Sequence, residues 1–305
     1  MPENDHRDLL DPRVLARLSR LNVLARLPMI GTVTGVHRSA TRGSSVEFAE
    51  YRKYVPGDDP RHLDWRVLAR TDRYYMKEFE ADTNLRCTIV LDASGSMAYA
   101  GAGGSKFDFA RRLAATLAYL LIRQGDAVGL TLVRTDGELD IPARRAPIHL
   151  NALLDALAES VPAGSVDLTQ ALHRIAERVR ARAMIVVVSD FFETPENLLP
   201  SFQHMRFRRH DLALFHVLDT DETRFPFDRP IRFLDLEGSD SVVTDPAIVA
   251  ETYRREVGAY LETLKRGARE FGADYRLAPV ELGYEKALSS FLLQRQRAGA
   301  EGARP

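Results

Sequence analysis

From Leu85 onward the chain alternates short apolar runs with longer stretches of helical periodicity, and this alternation limits the fold more than any other feature. A run such as Cys87-Thr88-Ile89-Val90-Leu91 has no charged face, so it belongs inside a sheet covered on both sides. Strands of that kind joined by segments of helical length form parallel pairs, because a parallel connection needs a dozen or more residues. The pattern predicts a strand over 86–91, a helix over 106–124 stopped by Gly125, and a strand over 127–133 turned at Thr135-Asp136-Gly137-Glu138. Helices follow over 148–160 and over 168–182, the second opened by Asp167, and then a strand over 184–189. Thr194-Pro195 opens another helix, 212–218 reads as a strand, and a less regular stretch leads to a long helix over 246–271. A last strand over 274–277 and a helix over 284–296 close the series. The expected fold class is α/β, with a largely parallel central sheet and helices on both faces, over residues 85–297. Residues 298–305 are small and polar and are expected to form a disordered tail.

Two smaller regions precede this domain. Asp11-Pro12 suits a helix N-cap with proline at the first helical position, and Val14, Leu15, Leu18, Leu21, Leu24 and Leu27 continue an apolar stripe, giving an N-terminal helix within 1–31. Residues 32–84 are rich in Arg, Asp, Tyr and Gly without helical periodicity, and read as a small β-rich module. In the 305-residue chain, 42 Lys and Arg balance 43 Asp and Glu, which removes any global pull toward nucleic acid or anionic membrane. The only cysteine, Cys87, cannot form an internal disulfide and falls in an apolar strand. No secretory signal and no apolar stretch of about 18 residues is seen, so a cytoplasmic protein without membrane insertion is expected.

The chemistry concentrates where the first strand runs into Asp92-Ala93-Ser94-Gly95-Ser96. Ligands of open parallel sheets bind beyond the carboxyl ends of the strands, near the point where strand order reverses. One carboxylate and two hydroxyls at alternate positions are hard oxygen ligands, suited to Mg2+, Mn2+ or Ca2+ rather than zinc. The strand over 184–189 ends in Asp190, a second carboxylate at the same edge. The competing structural reading of Asp92 and Ser94 is an Asx-type turn at a strand-to-helix junction.

Three enzymatic readings fail on spacing. Gly101-Ala102-Gly103-Gly104-Ser105-Lys106 lacks the adjacent Gly-Lys followed by Ser or Thr that a phosphate-binding loop requires. Around Ser94, Asp92 and Ser96 stand where a nucleophile elbow needs glycines, and the eight histidines include no H-x-x-x-H or H-E-x-x-H pair.

The Asp92-x-Ser94-x-Ser96 loop, with Asp190 and the sheet pattern, resembles the metal-ion-dependent adhesion site of von Willebrand factor A domains. The resemblance implies a partner-binding metal site rather than a catalytic one, with Asp92, Ser94, Ser96 and Asp190 as ligands. It also implies a threonine from a later loop, and the pattern places Val166 there, with Ser165, Asp167 or Thr169 nearby as substitutes. A second resemblance rests on Tyr51-Arg52-x-Tyr54-x-Pro56-Gly57-Asp58-Asp59-x-Arg61-x-x-Asp64-Trp65 followed by Ala69-Arg70. Pro56-Gly57 suits a type II turn, and the acids beside Arg52, Arg61, Arg66 and Arg70 suit a structural ion-pair network. This string is similar to the signature of the bacterial family called domain of unknown function 58. That likeness implies a cytoplasmic protein acting with a MoxR-type AAA+ ATPase in the assembly or maturation of other proteins. The function expected is a non-enzymatic protein-binding adaptor. The alternatives are a structural scaffold with an empty metal site and a metal-dependent hydrolase.

Overall fold

A computed structural model of the chain describes residues 6–21, 23, 37–38, 47–53, 67, 74–80, 82–83, 85–238 and 240–301. The chain divides into two compact units, one of Leu27–Leu85 and one of Met1–Arg26 with Arg86–Pro305. In the smaller unit, β1 (Glu47–Lys53) pairs antiparallel with β2 (Tyr75–Glu80), and His37–Arg38 pairs with Asp82–Thr83. Tyr51 and Arg52 of the signature lie on β1. From Tyr54 to Arg70 the signature, Val67 apart, falls outside the described residues.

In the larger unit the predicted alternation is realised. Helix α1 (Pro12–Leu18) is followed in the α/β region by β3 (Arg86–Asp92), α2 (Lys106–Arg123), β4 (Ala127–Arg134) and β5 (Gly137–Arg144). Then come α3 (His149–Glu159), α4 (Leu168–Arg178), β6 (Met184–Ser189), α5 (Pro195–Phe207) and β7 (Asp211–Leu218). The short helix α6 (Thr220–Arg224) leads to a hairpin of β8 (Ile231–Leu234) and β9 (Ser241–Thr244). The chain closes with α7 (Pro246–Glu270), β10 (Asp274–Pro279) and α8 (Tyr284–Glu301).

Among the described residues the central sheet has six strands in the order β10-β7-β6-β3-β4-β5. All neighbours pair in parallel except β4 and β5, which form an antiparallel edge. Every residue of β6 and β7 is buried, which is why these strands read as unbroken apolar runs. On one face Val90, Ile185, Val187, Leu212 and Leu214 pack with Leu172 and Ile175 of α4, Phe202 of α5 and Leu264 of α7. Helices α2, α3 and α8 pack together on the other face, and α1 joins them with Val14 and Leu18 buried. Helix α2 ends as predicted, with Gly125 at φ +90°, a conformation glycine adopts without strain.

The structure differs from the sequence reading in places. Helix α1 stops at Leu18, and Leu24 and Leu27 of the predicted stripe lie outside the described residues. The edge strand β5 and the β8–β9 hairpin were not predicted: both are largely exposed, so neither carries a continuous apolar run. Helix α8 continues to Glu301, past the predicted domain end at 297. Among the described residues no helix is long and apolar enough to cross a membrane.

At the N-terminal edge of the sheet one buried cation ties three elements together. Arg295 of α8, 2% exposed, donates to both oxygens of Asp211 at 2.5 and 3.0 Å and to Asp274 at 3.0 Å. These aspartates open β7 and β10, so the closing helix is anchored to the sheet by charge as well as by Leu288, Phe291 and Leu292. Replacing Arg295 by Met would leave two buried carboxylates without their cation, and should cost about 3–5 kcal/mol of stability in urea unfolding at pH 7.

Candidate functional site

Chain order in the sheet reverses at β3, with β4 on one side and β6 on the other. Asp92 is the last residue of β3 and Asp190 follows β6 directly, which puts both carboxylates at the switch point. Asp92 is 3% exposed. Its Oδ1 accepts the Ser94 N–H at 2.9 Å and its Oδ2 accepts the Ser189 hydroxyl at 2.6 Å. The first bond is the Asx-type turn of the structural reading. Burial above all, and then the negative charge of Asp190, push the Asp92 carboxyl up to about 6, against the pull of the Ser189 and Ser94 bonds.

Ser94 is buried and its Oγ lies 3.0 Å from that of Ser96, so the two hydroxyls converge beside the Asp92 carboxylate. Gly95 between them has no room for a side chain: a Cβ there would stand 2.0 Å from the Leu236 carbonyl oxygen and 3.2 Å from the Gly164 nitrogen. The turn joining β8 and β9 therefore covers the loop. Gly95 N–H donates to Gly164 at 2.6 Å, Ala163 N–H to Ala93 at 3.0 Å, and the Thr135 hydroxyl to the Ala163 carbonyl.

The residue that sequence reasoning missed is Lys106, dismissed as the end of a failed phosphate loop. It opens α2, is 1% exposed, and donates to Asp190 Oδ2 and to Glu222 Oε1, each at 2.7 Å. Burial pulls its ammonium down, but the two carboxylates outweigh that and hold it above the usual lysine value. A lysine at the first position of a helix opposes the macrodipole, and that was the available signal of another task. Glu222 is fixed in turn by a capping box with Asp219, whose N–H reaches Glu222 Oε2 at 2.8 Å. Ser189 was also missed, although it adjoins Asp190 at the strand end.

The other candidates are used differently. Val166, at the expected threonine position, is half-buried against the core of the α4 face. Asp167 caps α4 by accepting the Gln170 N–H at 2.7 Å, and the Thr169 hydroxyl donates to Glu193 at 3.2 Å. Among the described residues no group of three His, Cys, Asp or Glu could hold a metal. A cation here would rest on Asp92, Ser94, Ser96 and Asp190. The last fits that task, because its Oδ1 is buried without a hydrogen-bond partner.

The whole region from β1 through most of α7 matches one sequence family over residues 50–259, under the description "Protein of unknown function DUF58". The chain belongs to the DUF58 family. As a DUF58 protein it has relatives of similar size: an "Uncharacterized protein" of Mycobacterium tuberculosis is 28% identical over 300 residues, covering 97% of this chain and 94% of the relative. Among solved structures, BatB from Bacteroides thetaiotaomicron has a TM-score of 0.47 at 15% identity, over 70% of this chain and all (100%) of that one. The SpRpn10 VWA domain has a TM-score of 0.40 at 13% identity, over 69% and 95% of the two chains. The sheet of this DUF58 protein is doubly wound, with Asp92-x-Ser94-x-Ser96 at its switch point.

Two substitutions probe the site in metal-free buffer. Lys106→Met should destabilise by about 3–5 kcal/mol at pH 7, since it strands Asp190 and Glu222, and the loss should shrink toward pH 4 as Glu222, whose carboxyl burial raises, protonates. Asp92→Asn should do the reverse. Its folded-state pKa lies above the unfolded value, so the charged form costs stability above about pH 6, and the cost fades as pH falls toward 4. The Asn variant should be about 1–3 kcal/mol more stable than wild type at pH 8 and no more stable at pH 4, read from denaturant midpoints.

Proposed function

We propose that this DUF58 protein is a non-catalytic, protein-binding adaptor whose recognition edge is the strand-end surface around Asp92, Ser94, Ser96 and Asp190. The reading rests on the meeting of Asp92, Ser94 and Ser96 at the switch point and on Asp190 at the neighbouring strand end, whose Oδ1 is buried and unpartnered. Such a group costs free energy unless a ligand completes it. Both Asp92 oxygens already accept hydrogen bonds and Asp190 Oδ2 is held by Lys106, which argues against free carboxylate bases serving a hydrolase.

When bound, a Mg2+ or similar ion would supply a Lewis-acidic position open to an acidic side chain of the partner. Asp92, Ser94, Ser96 and Asp190 would hold it. Lys106 and Glu222 would fix Asp190 in place from behind. The partner we propose is a MoxR-type AAA+ ATPase, to which the adaptor would present other proteins for assembly or maturation. A second reading is favoured by Lys106 and Val166 together: a scaffold in which the lysine ammonium provides the positive charge and no ion enters.

A pull-down of the ATPase by the full chain separates the two. Capture that requires Mg2+, is lost with chelator and is lost in Asp92→Ala supports the adaptor reading. Capture indifferent to both treatments, with no heat on calorimetric titration of Mg2+ or Mn2+, supports the scaffold.

A further inference from the structure

Beside the Asp92 loop, a cavity of about 520 Å3 opens between the ends of β6 and β7, the start of α5, and helices α6 and α7. That volume is in the range of small-ligand sites, roughly 300–1,000 Å3. Its inner end is polar. Asp190, 4% exposed, lines it with an Oδ1 that has no hydrogen-bond partner. His216, fully buried, lines it as well, its ring set edge-on against Phe191 at 5.3 Å and Tyr260 at 6.1 Å, with Nδ1 2.7 Å from the Tyr275 hydroxyl.

The walls are aromatic, from Tyr253, Tyr260 and Phe192, and Phe192 is 77% exposed. Glu193, Glu196 and Glu256 add carboxylates to the lining, and no lysine or arginine is among the lining residues described. Lys106 is 1% exposed and held by Asp190 and Glu222. The backbone here is also strained: Phe191, buried, has φ +48° and is held by its N–H to Ser189 Oγ at 2.8 Å and by the Tyr260 hydroxyl on its carbonyl. A left-handed phenylalanine persists only where its surroundings impose it, and such strain gathers at ligand sites.

An apolar, aromatic-walled cavity with acidic lining and an unsatisfied carboxylate oxygen complements a cation on an apolar stem. The planar guanidinium is the better match, since it stacks on aromatic rings and donates to carboxylates in fixed geometry. We propose that this cavity receives an arginine side chain from a polypeptide partner. The proposal goes beyond the adaptor reading, because it needs neither an ion nor Asp92, Ser94 and Ser96.

Titration of the isotope-labelled full chain with acetyl-Gly-Arg-Gly-amide, followed by NMR, tests it. The arginine peptide should shift resonances of residues 190–196 and 253–261 at millimolar concentration, and peptides with norleucine or glutamate in place of arginine should not. Affinity should fall about fivefold or more in Phe192→Ala and in the double variant Glu193→Gln/Glu256→Gln. Thermal unfolding like that of wild type would show these surface changes leave the fold intact. The titration is run in the presence of chelator, where an ion-dependent ATPase pull-down fails, so a failed pull-down and a failed cavity are distinguishable. Equal binding of the norleucine peptide, preference for the glutamate peptide, or no shifts in these segments would overturn the proposal.

Discussion

The buried ammonium of Lys106 is the interaction on which the functional edge depends. It stands at the N-terminus of a helix, where the backbone dipoles disfavour a cation, and it is almost wholly out of solvent. Only two ionised carboxylates at hydrogen-bond distance make that position tenable, and they come from different elements, Asp190 after β6 and Glu222 in α6. Lys106 is then the link between the two. Glu222 also completes the cap of α6, so one charge cluster sets the start of α2, the end of β6 and the chain after β7.

A similar device is used at the opposite edge with a different outcome. Arg295 between Asp211 and Asp274 closes the N-terminal edge, with the guanidinium reaching both oxygens of Asp211. At the C-terminal edge the lysine has a single nitrogen to share, and it leaves Asp190 Oδ1 uncovered. The difference follows from side-chain chemistry: a guanidinium covers a carboxylate in bidentate fashion, whereas an ammonium acts as a point charge. One edge is thereby structural and complete, and the other keeps an unfilled valence beside two serine hydroxyls and an aromatic cavity. The incomplete edge is where the proposed ion and the proposed arginine would bind.

The fold was legible in the sequence to the extent that burial was. Strands β3, β4, β6 and β7 carry the apolar runs that a sheet covered on both faces requires, and their bounds differ from the prediction by a residue or so. Strand β5 was missed because it lies at an edge, has no continuous apolar run, and contains Pro142. The β8–β9 hairpin exposes Leu234, Val242 and Val243, so its residues obey no core periodicity, yet its turn covers Gly95.

The site divides along the same line. Asp92, Ser94, Ser96 and Asp190 were readable because their positions depend on strand ends, and strand ends follow from local apolar runs. Lys106, Glu222, Ser189 and the Tyr260 wall were not, because each reaches its place through a packing contact between segments far apart in the chain: 84 residues separate Lys106 from Asp190, and 116 separate it from Glu222. The sequence by itself determined a largely parallel sheet with a carboxylate and two hydroxyls in the loop at its switch point. Only the tertiary structure decided which charges meet there, because buried ion pairing is set by three-dimensional proximity and desolvation, neither of which leaves a period or a spacing in the chain.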